Sequence, residues 1–112
     1  MLEALWSVEF DSNLGTIGAG IAVFETGRVL GGDSAFMYVG SYEVRNETAT
    51  ARIKCTKYST IGNMQSIFGP LNKFHLELSG KPDEKAMTLT GHVVENPALK
   101  ITIKAIRRAE LP

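Results

Sequence analysis

The sequence predicts an all-β protein built as an antiparallel meander, and three segments near its end carry that prediction. Apolar and polar residues alternate strictly through Phe74-His75-Leu76-Glu77-Leu78, Met87-Thr88-Leu89-Thr90-Gly91-His92-Val93 and Leu99-Lys100-Ile101-Thr102-Ile103-Lys104. A period of two gives each strand one dry face and one wet face. Strands joined by short turns pair antiparallel. With no helix pattern long enough to cover the dry face, the sheet must curl into a barrel or pack on a second sheet.

The remaining elements follow in chain order. Ala4 to Phe10 is the first strand, with Trp6, Val8 and Phe10 on one face, and it ends at the turn-forming Asp11-Ser12-Asn13. The second runs from about Gly15 to Glu25. Its Gly15, Gly18 and Gly20 suit the sharp curvature that a strand needs to wrap a small core. Thr26-Gly27 turns the chain into Arg28-Val29-Leu30, and Gly31-Gly32-Asp33-Ser34 makes a second flexible break. Phe36 to Val44 is a strand with Phe36, Tyr38 and Tyr42 assigned to one face and Gly40 interrupting it. A turn near Arg45-Asn46-Glu47 leads into Thr48 to Lys57, the cleanest alternation of the first half. Between Ser59 and Asn72 the period changes. Ile61, Met64, Ile67 and Phe68 recur at spacings of three and four, which predicts one short helix ended by Gly69-Pro70. The last three strands are joined by Lys81-Pro82-Asp83-Glu84 and Glu95-Asn96-Pro97-Ala98, both favourable turn sequences.

Composition narrows the function. The 112 residues suit a single domain spanning positions 1–112. Twelve basic and twelve acidic residues cancel to a net charge of zero, so the chain lacks the basic footprint of direct DNA or RNA binding. A neutral surface also favours self-association over mutual repulsion. The lone Cys55 falls on the dry face with Ala49, Ala51 and Ile53, the position of an inert core thiol. The opening Met1-Leu2-Glu3-Ala4-Leu5-Trp6 has no basic leader, and no apolar run approaches the roughly twenty residues of a membrane span. A soluble, cytoplasmic protein is the expectation, and the glycosylation pattern Asn46-Glu47-Thr48 is discounted accordingly.

No catalytic motif stands out. His75 and His92 both fall on the wet faces of neighbouring strands, with no carboxylate or thiolate placed beside them by the sequence, so no metal site is expected. Gly31-Gly32-Asp33-Ser34 lacks the lysine and helix start of a phosphate loop, and no local histidine serves Ser34 as a base. Two features remain as candidate sites. Trp6, Phe24, Phe36, Tyr38, Tyr42, Met64 and Phe68 are the side chains that would line a ligand cavity inside a barrel, or else fill it. Glu43, Arg45, Asn46 and Glu47 form a charged hairpin tip where a protein partner would make contact, or else a solvated turn.

The order of features in the first half resembles a known family. Trp6-Ser7-Val8-Glu9-Phe10, Gly18-Ala19-Gly20-Ile21-Ala22-Val23, Gly27-Arg28-Val29-Leu30-Gly31-Gly32-Asp33-Ser34 and Tyr38-Val39-Gly40-Ser41-Tyr42 are similar to the GrlR-type family, negative regulators of type III secretion gene expression. The Gly-Gly-Asp followed by an aromatic-x-Gly segment is the most specific piece, and the later strand spacing agrees. The resemblance implies a lipocalin-like eight-stranded antiparallel β-barrel that forms a homodimer and binds a transcriptional activator protein. One departure bears on that partner. The regulator for which the family is named carries an acidic Glu-Asp-Glu-Asp tetrad on a surface hairpin, whereas here the matching tip has only Glu43 and Glu47, with Arg45 between them. Such a tip would attract a basic partner far more weakly.

Two functional expectations result. The first is a non-enzymatic regulatory protein that binds a protein partner, as a homodimer, and presents unusual apolar surface. The second is a small-molecule carrier or sensor with an apolar ligand in the barrel. Neither calls for a cofactor. An enzyme ranks third, since titratable groups do not cluster at inward positions.

Overall fold

A computed structural model describes residues 2–112, and its strands close into a barrel in which each pairs with the next and the last returns to the first. The elements are β1 (Ala4–Ser12), β2 (Ile17–Glu25), β3 (Arg28–Gly32), β4 (Phe36–Arg45), β5 (Thr48–Lys57), β6 (Lys73–Gly80), β7 (Ala86–Val93) and β8 (Asn96–Ala109). The barrel, the antiparallel meander and the strand count match the sequence-based expectation. Each strand has a neighbour on both sides, with Ile17–Gly20 of β2 reaching beyond β3 and Ala86–Leu89 of β7 beyond the pairing with β6. Among the described residues no helix is long and apolar enough to cross a membrane.

The inward row of each strand is the dry face read from the alternation. It includes Trp6 and Val8 on β1, Ile53 and Cys55 on β5, Leu76 and Leu78 on β6, and Ile101 and Ile103 on β8, all buried. Bulk alternates with its absence across the ladders. Trp6 lies opposite Ala22, Phe10 opposite Gly18, Tyr38 opposite Gly31, Ile53 opposite Gly40, and Gly91 sits between Leu78 and Ile101. A small barrel cannot seat large residues on both sides of every pair, and this pairing fits the interior without forcing rotamers. Two tight turns have the backbone that their residues permit. Asn46 and Glu47, at φ 52° and 61°, link β4 to β5, and Thr26 with Gly27, at φ 48° and 79°, link β2 to β3. Positive φ at both central residues gives the turn whose twist matches flanking strands.

The short helix expected between Ser59 and Asn72 is absent. That segment is a run of turns with one isolated bridge, Ser66 to Gly69. The Ser59 hydroxyl accepts from the Ile61 N–H at 3.2 Å, and the Ser66 hydroxyl accepts from the Phe68 N–H at 3.1 Å. Such local side-chain bonds compete with helical ones, and Gly62 and Gly69 at φ 66° and 94° interrupt what remains. The three-and-four spacing still carries meaning, because Met64, Ile67 and Phe68 pack against the core while Ile61 stays exposed.

One further boundary shifts. The turn between β7 and β8 is Val94-Glu95 rather than Glu95 to Ala98, since Val93 pairs with Asn96. Pro97 is accommodated next to an irregularity in register, where a missing N–H costs no ladder bond. His75 and His92 face outward but are not opposite one another: His92 pairs with Glu77, and His75 with Lys54.

Replacing Ile101 by lysine places an unpaired charge at a position that is only 5% exposed. A loss of several kcal/mol is expected, enough to abolish the cooperative thermal transition measured by circular dichroism. A native-like melt would contradict the inward assignment of β8.

Candidate functional site

The barrel interior is divided. At one end, where β4 turns into β5, the chain before β1 closes the barrel. Trp6 is completely buried, and its indole N–H donates to the Leu2 carbonyl at 2.9 Å. Phe24 packs on Trp6 with ring centroids 6.0 Å apart and on Tyr42 at 4.9 Å. The Tyr42 hydroxyl donates to the Glu3 carboxylate at 3.2 Å. Apart from Phe24, whose other side faces the open half, these aromatic rings form a plug.

The other half encloses a cavity of about 330 Å³. Its walls are aliphatic and aromatic: Val8 and Phe10 from β1, Val29 from β3, Ile53 from β5, Leu76 from β6 and Ile101 from β8. The segment 59–72 crosses the mouth. Phe68 from that segment meets Phe74 edge-on at 5.4 Å and 90°, and Phe36 packs on Phe74 at 5.7 Å. The Ile67 carbonyl is tied to the β1–β2 turn by the Thr16 hydroxyl and, at 3.4 Å, by the Ser12 hydroxyl.

Of the aromatic and sulfur-bearing residues singled out by sequence, Phe24, Phe36, Tyr38, Met64 and Phe68 border the cavity. Trp6 and Tyr42 do not; they belong to the plug, because strand register puts them nearer the opposite end. The hairpin residues Glu43, Arg45, Asn46 and Glu47 are all exposed and lie at the plugged end, away from the mouth. The Arg45 guanidinium approaches the Glu43 carboxylate at 3.6 Å, so the tip partly neutralises itself.

A polar group that sequence reasoning passed over sits in the cavity wall. The Asp33 carboxylate accepts the backbone N–H of Ala35 at 2.8 Å and of Phe36 at 2.7 Å through Oδ1, and the Tyr38 hydroxyl donates to Oδ2. The Tyr58 hydroxyl donates to the Asp33 carbonyl at 2.6 Å. Glycines make room for this cluster. Tyr38 lies across the ladder from Gly31, and its hydroxyl comes to rest where a Cβ on Gly20 would stand, 2.7 Å away. Burial and the neighbouring Asp33 carboxylate push the Tyr38 hydroxyl pKa upward, so it stays protonated and donates. The break expected over Gly31-Gly32-Asp33-Ser34 is shorter than its composition predicts: Gly31 and Gly32 continue β3, paired with Ala22 and Ile21 on one side and Tyr38 and Met37 on the other, and the chain turns over Asp33 to Ala35. That Asp33 also faces the interior depends on the β3–β4 register, which local sequence does not reveal.

Cys55, opposite Tyr38 on β5, borders the same cavity. Burial first, then the Asp33 charge, pushes its thiol pKa up to about 12. A thiol held protonated is a poor nucleophile. On the outer surface, His75 Nδ1 lies 2.6 Å from Glu95 Oε2, and the His75 backbone N–H donates to Glu95 Oε1 at 2.9 Å. Among the described residues no three His, Cys, Asp or Glu side chains gather in a way that would hold a metal ion.

The outer face of β1 to β4 is apolar over an extended area. Leu5, Val23, Leu30 and Val39 are successive ladder partners and form one row across these strands. Ile21 and Met37 flank the row. Ile21, Leu30, Met37 and Val39 are 45%, 46%, 44% and 50% exposed. Isolated exposed aliphatics are ordinary, but adjacent ones on one face mark a contact surface. Comparison with protein-family models and with curated protein sequences finds no match to this chain.

Native Cys55 should react with a thiol reagent such as DTNB only at the rate of unfolding, and at once in denaturant. Rapid labelling of the native protein would place the thiol at the surface. For Glu95, the His75 backbone N–H and then the His75 ring hold the carboxyl down to about 2 from an ordinary 4.5. A lowered folded-state pKa stabilises the fold above the ordinary value, and that stabilisation fades as pH falls from about 4.5 to about 2. The melting temperature of Glu95→Gln should therefore lie below that of the unaltered chain at pH 6, and the gap should shrink through this window.

Proposed function

We propose that this chain is a non-enzymatic regulatory protein that pairs with a second copy of itself and binds a protein partner in the cytoplasm. The observation that carries this reading is the aliphatic face of Leu5, Ile21, Val23, Leu30, Met37 and Val39 on β1 to β4. A closed barrel offers no full-length edge for strand addition, which favours association through side chains on an outer face. A twofold pairing of this face would remove its aliphatic side chains from water, and the zero net charge of the chain does not oppose it.

The resemblance to GrlR-type regulators supports the same reading through the Gly31-Gly32-Asp33 segment and the barrel architecture. The partner in that reading is a transcriptional activator. With Glu43 paired to Arg45, the hairpin tip suits a partner surface of mixed charge better than a strongly basic one.

A second reading, favoured by the cavity of about 330 Å³, is a carrier or sensor for an apolar small molecule. The two readings use different surfaces, and a ligand behind the 59–72 segment could tune a contact made outside.

Light scattering on the eluting protein tests the first reading. The unaltered chain should elute as a dimer, and the double variant Leu30→Glu, Val39→Glu should elute as a monomer with its β-sheet circular dichroism intact. A monomeric unaltered chain at about 100 μM would overturn the self-pairing, as would a dimer unaffected by both charges.

A further inference from the structure

The cavity has a chemical polarity that restricts what it accepts. No lysine, arginine or histidine lines it, and its ionisable wall groups are Asp33, Tyr38 and Cys55. Burial and the neighbouring Asp33 carboxylate push the pKa of the last two upward, and Asp33 is the one carboxyl group on the wall. Three of the roughly four acceptor positions of that carboxylate are taken: two on Oδ1 by backbone N–H groups and one on Oδ2 by Tyr38. The remaining position on Oδ2 is an acceptor without a donor, and the Tyr38 oxygen keeps acceptor capacity of its own.

We propose that the barrel binds a compact, uncharged molecule, an aromatic alcohol or amine or an alicyclic alcohol, whose hydrogen-bond donor meets the Asp33–Tyr38 pair and whose ring fills the apolar half. This inference rests on the carrier or sensor reading and adds the headgroup chemistry to it. It excludes fatty acids and other carboxylates, the ligands that an apolar barrel would otherwise suit. An anionic headgroup would be buried beside Asp33 with no cation to compensate it, a costly arrangement. Size follows from volume. An apolar cavity of about 150 Å³ accommodates benzene, so one of about 330 Å³ takes roughly twice as many ring atoms. Two fused six-membered rings fit that space.

The positions of the groups agree with this occupant. Phe10, Phe36, Phe74 and Phe68 surround the space with ring faces and edges, which favours an aromatic body over a flexible chain. Gly18 at the start of β2 makes room for the Phe10 ring opposite it, and a Cβ on Gly18 would collide with that ring.

Isothermal titration with four probes that share one skeleton tests the assignment: naphthalene, 1-naphthol, 1-naphthylamine and 1-naphthoate at pH 7.5. The expected order places 1-naphthol and 1-naphthylamine at one site per chain, several-fold tighter than naphthalene and at least about tenfold tighter than 1-naphthoate. Asp33→Asn should narrow the gap between 1-naphthol and 1-naphthoate, since the amide keeps an oxygen for the backbone donors but removes the charge. Equal binding of 1-naphthol and 1-naphthoate to the unaltered chain would overturn the headgroup assignment and leave the carrier reading standing. Failure of all four probes to bind would overturn both. Because the probe order is read on the unaltered protein, it decides the question even if Asp33→Asn does not fold.

Discussion

Closure of the barrel depends on one constraint: across the ladders, bulky inward side chains must face small ones. Trp6 over Ala22, Phe10 over Gly18, Ile53 over Gly40, and Leu78 and Ile101 on either side of Gly91 satisfy it. A side chain at Gly40 or Gly91 would run into the backbone of the neighbouring strand. Close packing leaves little room for such an addition, and an overpacked wall costs about 1–3 kcal/mol even where it relaxes. Strand pairing, curvature and the interior volume are therefore set together rather than one after another.

The same constraint divides the interior. Trp6, Phe24 and Tyr42 converge at the end where the chain enters, and Leu2 completes the plug through its bond to the indole. Toward the other end, Gly18 leaves room for the Phe10 ring and Gly20 for the Tyr38 hydroxyl, and a space remains that the 59–72 segment covers without filling. A polar cluster is stable in that space because Asp33 has several donors, so the cost of burying it is offset locally. The outer face of β1 to β4 has no comparable polar compensation, and this distinguishes it from the rest of the surface. On β5 and β6 the pair of Arg52 with Glu77 keeps the outer face charged, and within β1 to β4 the pair of Arg28 with Glu25 lies at the turn beside the apolar row. The barrel thus has an apolar-lined interior and an apolar outer row on opposite sides of the same sheet.

Much of this was legible in the residues themselves. Strict alternation marked β5 through β8 and their dry faces, and turn chemistry marked the hairpins at Thr26-Gly27 and Asn46-Glu47. The segment 59–72 was misread because apolar spacing alone cannot register that the Ser59 and Ser66 hydroxyls capture the N–H groups a helix would need. Inward direction could be read for Trp6 and Tyr42, but their height along the barrel could not, since that follows from the stagger of all the strands. Asp33 illustrates the same limit. Its turn-forming role was visible in Gly-Gly-Asp-Ser, while its position on the cavity wall arises from Tyr38 lying opposite Gly31. Contacts fixed by register between strands are absent from any local window of sequence.

The most direct test of the divided interior is the methyl NMR spectrum of the protein under xenon pressure, because xenon enters dry apolar cavities and shifts the methyl groups around it. Methyl signals of Val29, Ile53, Leu76 and Ile101, which border the cavity, should move with xenon pressure, whereas those of Leu2 and Met87, which are buried but do not border it, should stay in place. Shifts distributed evenly over all the buried methyl groups, or shifts at none of them, would contradict a barrel that is plugged at one end and hollow at the other.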